Sequence, residues 1–306
     1  MSNDTSDSRA KILAVGAVLC WSTVATAFKL GLEGLSPISF LFYVIISSII
    51  FLCVFITLTN RWKGFKNIKF SDFLVAVFSG LLNPFAYYLI LFEAYDRLPA
   101  QVAQTLNYTW PIVLVLMSAF INKRKVAKNV IWGLLLGFLG VMFIASRGHI
   151  FVLLFDGVGV FLAVFSSLVW ATYWIISKSS KVEPVRFLFI NQVVGLLATL
   201  LWITVFDIKI AIPNTQSALA TIYSGWFEMG IAFVLWITAL RYASKPEKIS
   251  HFIFFAPFLS LFFIRFILSE PIMFSTLVGL VLIISGVLIV EYGSDVFKKI
   301  RKKLSI

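Results

Sequence analysis

The two halves of this chain repeat one another across an odd number of apolar stretches, and that restricts the fold more than any single motif does. Trp21-Ser22-Thr23 with Lys29 returns as Trp170-Ala171-Thr172 with Lys178, and Pro37 with Phe40-Leu41-Phe42 returns as Pro184 with Phe187-Leu188-Phe189. Ser79-Gly80 and Ala94 return as Ser224-Gly225 and Ala239, while Pro111, Gly133 and Gly140-Val141 return as Pro257, Gly279 and Gly286-Val287. A colinear set at a nearly constant spacing of about 147 residues marks a duplicated unit. Each unit holds five stretches long enough to cross a bilayer, so the two copies must cross it in opposite senses. Inverted repeats of this kind place a binding site between them, near the midplane.

The stretches follow from hydropathy. The chain is 60% hydrophobic and 13% charged, far from a soluble domain. Apolar runs of membrane length lie at about 11–31, 38–59, 72–95, 98–121, 129–146, 156–177, 186–206, 217–241, 248–268 and 272–292. The expected fold class is therefore all-α integral membrane, with ten transmembrane helices as two inverted five-helix repeats. The expected organisation is a tail over 1–10, repeat one over 11–146, repeat two over 156–292 and a basic tail over 293–306. No room is left for a soluble catalytic domain.

Lys and Arg set the orientation. With the N-terminus inside, the outer side holds only Lys29, Arg97, Arg147, Lys209 and Arg265 of the 26 basic residues, and the rest cluster at the inner ends and the tail. The positive-inside rule then predicts a multi-pass protein of the cell (inner) membrane with both termini cytoplasmic. The net charge of +12 is explained without nucleic acid. The polar first ten residues and the long first apolar stretch predict a retained span, not a cleaved signal. Cys20 and Cys53 both fall within spans, where apolar packing is the expected role and a disulfide is not. With two His in the chain, no metal site is expected, and no cofactor is implied; His251, one turn into the ninth span, suits a capping or interfacial position.

These features together resemble a known group. Ten spans in two repeats, Trp-Ser-Thr in the first, Ala near the end of the third and eighth, Pro midway along the fourth and ninth, and Gly-x6-Gly-Val in the fifth and tenth resemble the drug/metabolite transporter superfamily, EamA family. Asn107-Tyr108-Thr109-Trp110-Pro111 is similar to the Asn-Tyr-x-Trp-Pro of its aromatic amino-acid exporters of the YddG type. The chain departs from the family where Lys123-Arg124-Lys125 follows the fourth span, although Glu270 occupies the corresponding place in the second half. The resemblance implies efflux of amino acids or related metabolites and drugs, with helices one, three, four, six, eight and nine around a central cavity.

Polar groups at bilayer depth are the candidates for a pathway, since burying a charge there costs at least a few kcal/mol. Glu228 and its repeat-equivalent Asn83 each lie roughly 16 Å into their spans, which would bring them together near the pseudo-two-fold axis. A carboxyl there is either a structural hydrogen-bonding group or the proton site of a coupled carrier. Pro84, Pro111 and Pro257 remove backbone donors near mid-span and are expected to kink helices that line a cavity. Trp21, Tyr87, Tyr108, Trp110, Trp170 and Tyr173 are read as aromatic walls, suited to planar or cationic solutes. Gln101, Gln104 and Tyr108 share a helical face that must point at water or at another helix, and Asn107 joins them in the pathway set. Lys29 and Glu93, near the outer ends of their spans, either snorkel to water or form an outer gate. Gly133-x3-Gly137 permits close helix contact, within the monomer or in a homodimer.

The function these readings favour is a secondary active transporter of small organic metabolites, working by alternating access and coupled to protons. A channel or uniporter for small solutes is the alternative. A membrane enzyme fits less well, because no cluster of His, Asp or Cys gathers on one face. The expected partners are a small-molecule substrate, the lipid bilayer and protons.

Overall fold

A computed structural model describes residues 2–123, 128–146, 156–244, 249 and 251–304, with side chains for 7–123, 128–146, 156–244, 249 and 252–290. Arg124, Lys125, Arg147, Lys245 and Lys248, and the side chains of His251 and of the basic tail at 298–303, lie outside the described residues. Every regular element among the described residues is helical. Ten apolar rods follow one another: α1 (Ser2–Leu32), α2 (Pro37–Leu58), α3 (Phe70–Arg97), α4 (Ala100–Ile121), α5 (Lys128–Ala145), α6 (Gly157–Ser177), α7 (Pro184–Val205), α8 (Thr215–Tyr242), α9 (Phe252–Ile267) and α10 (Phe274–Leu304). The first eight are each long and apolar enough to cross a membrane, whereas α9 and the apolar part of α10 are shorter. The ninth opens on a 3₁₀ turn, His251–Phe255, ahead of Pro257.

Local sequence explains where the rods begin and end. Ser36 and Glu183 accept hydrogen bonds from the Ser39 and Arg186 backbone amides, and each is followed by a proline in the first turn, where a missing N–H costs nothing. Asp156 and Asn214 cap α6 and α8 in the same way. The non-glycine residues with positive φ come in repeat-related pairs: Asn60 and Asp207 end α2 and α7, while Lys123 and Ser269 end α4 and α9.

The irregularities are also duplicated. α3 widens into a π-helical segment at Leu81–Ala86, and α8 does so at Ser224–Ala232. Pro84 lies inside the first of these, next to the non-helical Asn83 (φ −142°, ψ 115°). α4 breaks at Tyr108 and Thr109 and restarts at Trp110 with Pro111 in its first turn, as α9 restarts at Ala256 with Pro257. All three prolines thus sit where a helix is interrupted or begins again.

Packing between the halves is reciprocal. A Cβ built on Gly80 would lie 2.8 Å from the Asn191 carbonyl oxygen and 2.8 Å from Val194, and one on Gly225 would lie 2.7 Å from the Val44 oxygen and 2.6 Å from Ser47. Val44 and Ser47 are the repeat-equivalents of Asn191 and Val194, so α3 of one half packs on α7 of the other as α8 packs on α2. Gly133 meets Gly286 and Gly140 meets Gly279 along the α5–α10 seam, and replacing each glycine by its repeat-equivalent turns one contact into the other. Exchange of this kind is what a two-fold axis across the helices generates. It also means that the small-residue face of α5 is occupied within the chain, with Gly137 against Ile112 of α4.

Candidate substrate cavity

Interhelical bonds define two ends. At the end carrying the N-terminus, Asp7 accepts from the Ser244 amide and hydroxyl, Asp72 accepts from the Lys181 amide, and Glu183 pairs with Arg61 at 2.6 Å and Arg241 at 3.5 Å. At the other end, Lys29 donates to the carbonyls of Tyr95 (2.6 Å) and Leu98 (2.9 Å). There too Glu270 accepts from the Ala100 amide at 3.0 Å, while Gln101 donates to the Pro271 carbonyl and accepts from the Met273 amide, each at 2.9 Å. Arg97 bridges Glu93 and Asp156 at 2.9 and 3.1 Å, and its hydrogen bond holds the Asp156 carboxyl below the usual carboxylate range.

Between these ends lies a cavity of about 940 Å³. Among the described residues its walls come from α1, α3, α4, α6, α8 and α9, with the start of α7 and Val130 of α5 added; α2 and α10 contribute nothing. It opens at the N-terminal end, past the exposed Ser118 and Lys178. It is blind at the other end, where Phe28, Leu91 and Tyr95 are buried. That floor is backed by ring-on-ring packing, Phe28 standing 4.7 Å from Phe92 and 5.5 Å from Tyr95 between centroids.

Trp21, Tyr87, Gln104, Asn107, Tyr108, Trp110, Trp170, Tyr173 and Glu228 all line this one space, as does Pro111. Tyr87 stacks on Trp170 at 4.5 Å and Trp170 on Tyr173 at 5.5 Å, forming a ladder of near-parallel rings along one wall. Trp21 contributes from the facing side with Phe233 and Trp236. The polar groups tie four helices together. Tyr88 of α3 donates to Glu228 Oε1 of α8 at 2.7 Å, Tyr87 donates to Asn107 Oδ1 of α4 at 3.2 Å, and Asn107 donates to Ser166 of α6 at 2.8 Å. Glu228 Oε2 and Gln104 Oε1 are buried without a hydrogen-bond partner.

Other sequence-derived residues lie elsewhere. Asn83 is buried and does not line the cavity, because the π segment that carries it packs Pro84 against Gly195 of α7. Lys29 and Glu93 do not meet each other and do not line the cavity: Lys29 staples α1 to the end of α3, and Glu93 faces Arg97. Pro257 lies outside the lining as well. Gln101, on the same helical face as Gln104, is turned toward the α9–α10 connection, so the polar stripe divides between cavity and helix contact. Sequence reasoning does not single out Tyr88, which anchors Glu228, or Tyr95, which floors the cavity. Tyr87 and Tyr88 are chain neighbours, and adjacency does not say which ring faces in. Tyr95 follows Tyr87 and Leu91 at i, i+4, i+8, and that spacing is the signal that points to it.

The EamA-like transporter family profile matches residues 8–146 and again residues 157–292. The chain belongs to the EamA-like transporter family. Among relatives, the uncharacterized transporter YvbV of Bacillus subtilis is 26% identical, aligned over 72% of this chain and 72% of its own. The uncharacterized inner membrane transporter YhbE of Escherichia coli is 23% identical over 96% of this chain and 95% of its own. A solved crystal structure superposes with a TM-score of 0.62 at 19% identity, covering 93% of this chain and 96% of that one, a likeness of fold. As a member of the EamA-like family, this protein is a multi-pass membrane transporter, embedded in lipid and acting on small molecules.

The closed end of this EamA-like transporter yields a prediction. There Gln101 ties α4 to the α9–α10 connection, and Gln101→Ala removes both 2.9 Å bonds of that latch, about 2 kcal/mol in sum and therefore roughly a 30-fold rise in the fraction with that end open. With Cys20 and Cys53 replaced by Ser, a cysteine placed at Leu91 should then react faster with an impermeant maleimide supplied from that side. Unchanged labelling would show that the latch does not hold the floor closed.

Proposed function

We propose that this transporter is a secondary carrier that exports small ring-bearing organic metabolites, of the amino-acid and amine kind, by alternating access coupled to protons. The observation that carries the reading is the cavity itself, open at one end, blind at the other, with aromatic walls and a carboxyl midway along α8. A continuous pore would suit a channel; a blind cavity suits a carrier caught facing one side. The clustering of Lys and Arg at the N-terminal end supports assigning that end to the cytoplasm, in which case the cavity faces inward. In the same reading the protein resides in the cell (inner) membrane, and Glu228 is the group that carries the proton.

A panel of amino acids and organic amines tested for thermal stabilisation of the purified protein should identify ring-bearing ligands, since a ligand bound by the native state raises Tm. Trp170→Ala removes the central ring of the Tyr87–Trp170–Tyr173 ladder. It should weaken such a ligand by about tenfold, the scale of one aromatic contact. Flux of the bound compound into proteoliposomes should saturate with concentration. Flux that stays linear would replace the carrier by a channel.

A further inference from the structure

Two buried acceptors of the cavity, Glu228 Oε2 and Gln104 Oε1, lack any hydrogen-bond donor, while the buried unpartnered donor of the described lining, the Trp174 indole N–H, lies one turn nearer the mouth than Trp170. Both acceptors line the same cavity, and a series of contacts links them: Gln104 is one turn from Asn107, which is bonded to Tyr87, the neighbour of the Tyr88 that holds Glu228. No basic side chain in the described lining answers them from within. The only Lys or Arg there is Lys178, which is exposed at the mouth, about 12 Å beyond Trp170 along the α6 axis. Lys29 is engaged by two carbonyls behind the floor.

From this arrangement we infer that the preferred ligand is a protonated aromatic amine without a carboxylate, its ammonium at Glu228 and Gln104 and its ring against the Tyr87–Trp170–Tyr173 wall. An ammonium supplies three donors and no acceptor, the complement of two unpartnered oxygens. The ring faces add cation–π attraction. An aromatic amino acid brings the same ring and ammonium together with a carboxylate, which would enter a low-dielectric space beside Glu228 with no counter-charge. Burying an unpaired charge is the larger effect and decides against the zwitterion. The inference rests on the cavity being the transport site.

Four indole compounds separate the possibilities: tryptamine, tryptophan, tryptophol and indole-3-acetate, each measured for binding to the purified full-length protein by calorimetry. Tryptamine should bind at least about tenfold more tightly than tryptophan, and indole-3-acetate most weakly, as expected for one uncompensated charge. Glu228→Gln should lower tryptamine affinity to that of tryptophol while leaving tryptophol itself within about twofold of its affinity for the unmodified protein, which also reports that the variant folds. Gln104→Leu should reduce tryptamine binding less, through loss of one neutral acceptor. Equal affinity for tryptamine and tryptophan, or a tryptamine preference that survives Glu228→Gln, overturns the amine assignment while the cavity stands as the binding site. Binding of none of the four overturns both.

Discussion

In proteoliposomes, the Glu228→Gln protein is expected to insert and fold normally and to lose the response of transport to an imposed pH gradient. Glutamine keeps the shape of the side chain and an oxygen to accept from the Tyr88 hydroxyl, which lies 2.7 Å from Glu228 Oε1. It cannot exchange a proton. The second carboxylate oxygen is buried and unpartnered, so ionisation there requires either water or a cationic ligand to arrive, and in the proposed alternating-access cycle the two states differ in what they admit. A carboxyl that holds a proton in one state and an ammonium in the other exchanges the two across the membrane. Each pH unit supplies about 1.4 kcal/mol per proton, or about tenfold accumulation of substrate for one-to-one exchange; the variant should accumulate none. Glu93→Gln should change little, because Glu93 sits at water beside Arg97 with more than a third of its side chain exposed. Wild-type accumulation by Glu228→Gln would leave the carboxyl as a hydrogen-bonding residue and remove it from coupling.

Much of this site is legible in the sequence, and the reason is depth. A polar or amphipathic side chain in the middle of an apolar span must find a partner or a cavity, which singles out Glu228, Gln104, Trp21 and Trp170. The repeat is equally legible, since it is a pattern of identities. Direction around the helix axis is not. Asn83 shares the depth of Glu228, and both lie in π segments, but Asn83 alone has an extended backbone (φ −142°, ψ 115°) beside Pro84, which departs from the face predicted by regular helical spacing. Tyr87 and Tyr88 are chain neighbours, yet one lines the cavity and the other reaches sideways to Glu228. Gln101 and Lys29 find partners far along the chain, at Pro271 and Met273 and at Tyr95 and Leu98. Those contacts depend on which helices neighbour which, and sequence periodicity carries no information about that.

The α5–α10 seam should be the least tolerant place in the molecule, and propensity alone gives the wrong sign there. Alanine in a helix interior is favoured over glycine by about 1 kcal/mol, so Gly133→Ala and Gly286→Ala would stabilise an isolated helix. In the bundle, a Cβ on Gly133 would lie 2.5 Å from the Gly286 carbonyl oxygen, and one on Gly286 would lie 2.5 Å from the Gly133 oxygen. Backbone atoms cannot rotate away as a side-chain end can. The helices must separate along the whole seam, which forfeits packing on both sides and costs about 1–3 kcal/mol or more, enough to outweigh the propensity gain. Gly140→Ala and Gly279→Ala, with oxygens at 2.8 and 2.9 Å, should cost less than the first pair. Gly157→Ala, which meets nothing within 4 Å, should be neutral. Thermal unfolding in detergent would rank the five variants. The double variant Gly133→Ala/Gly286→Ala should cost less than the sum of its singles, because one separation relieves both clashes. A Gly133→Ala protein as stable as Gly157→Ala would mean that the seam is looser than its carbonyl contacts imply.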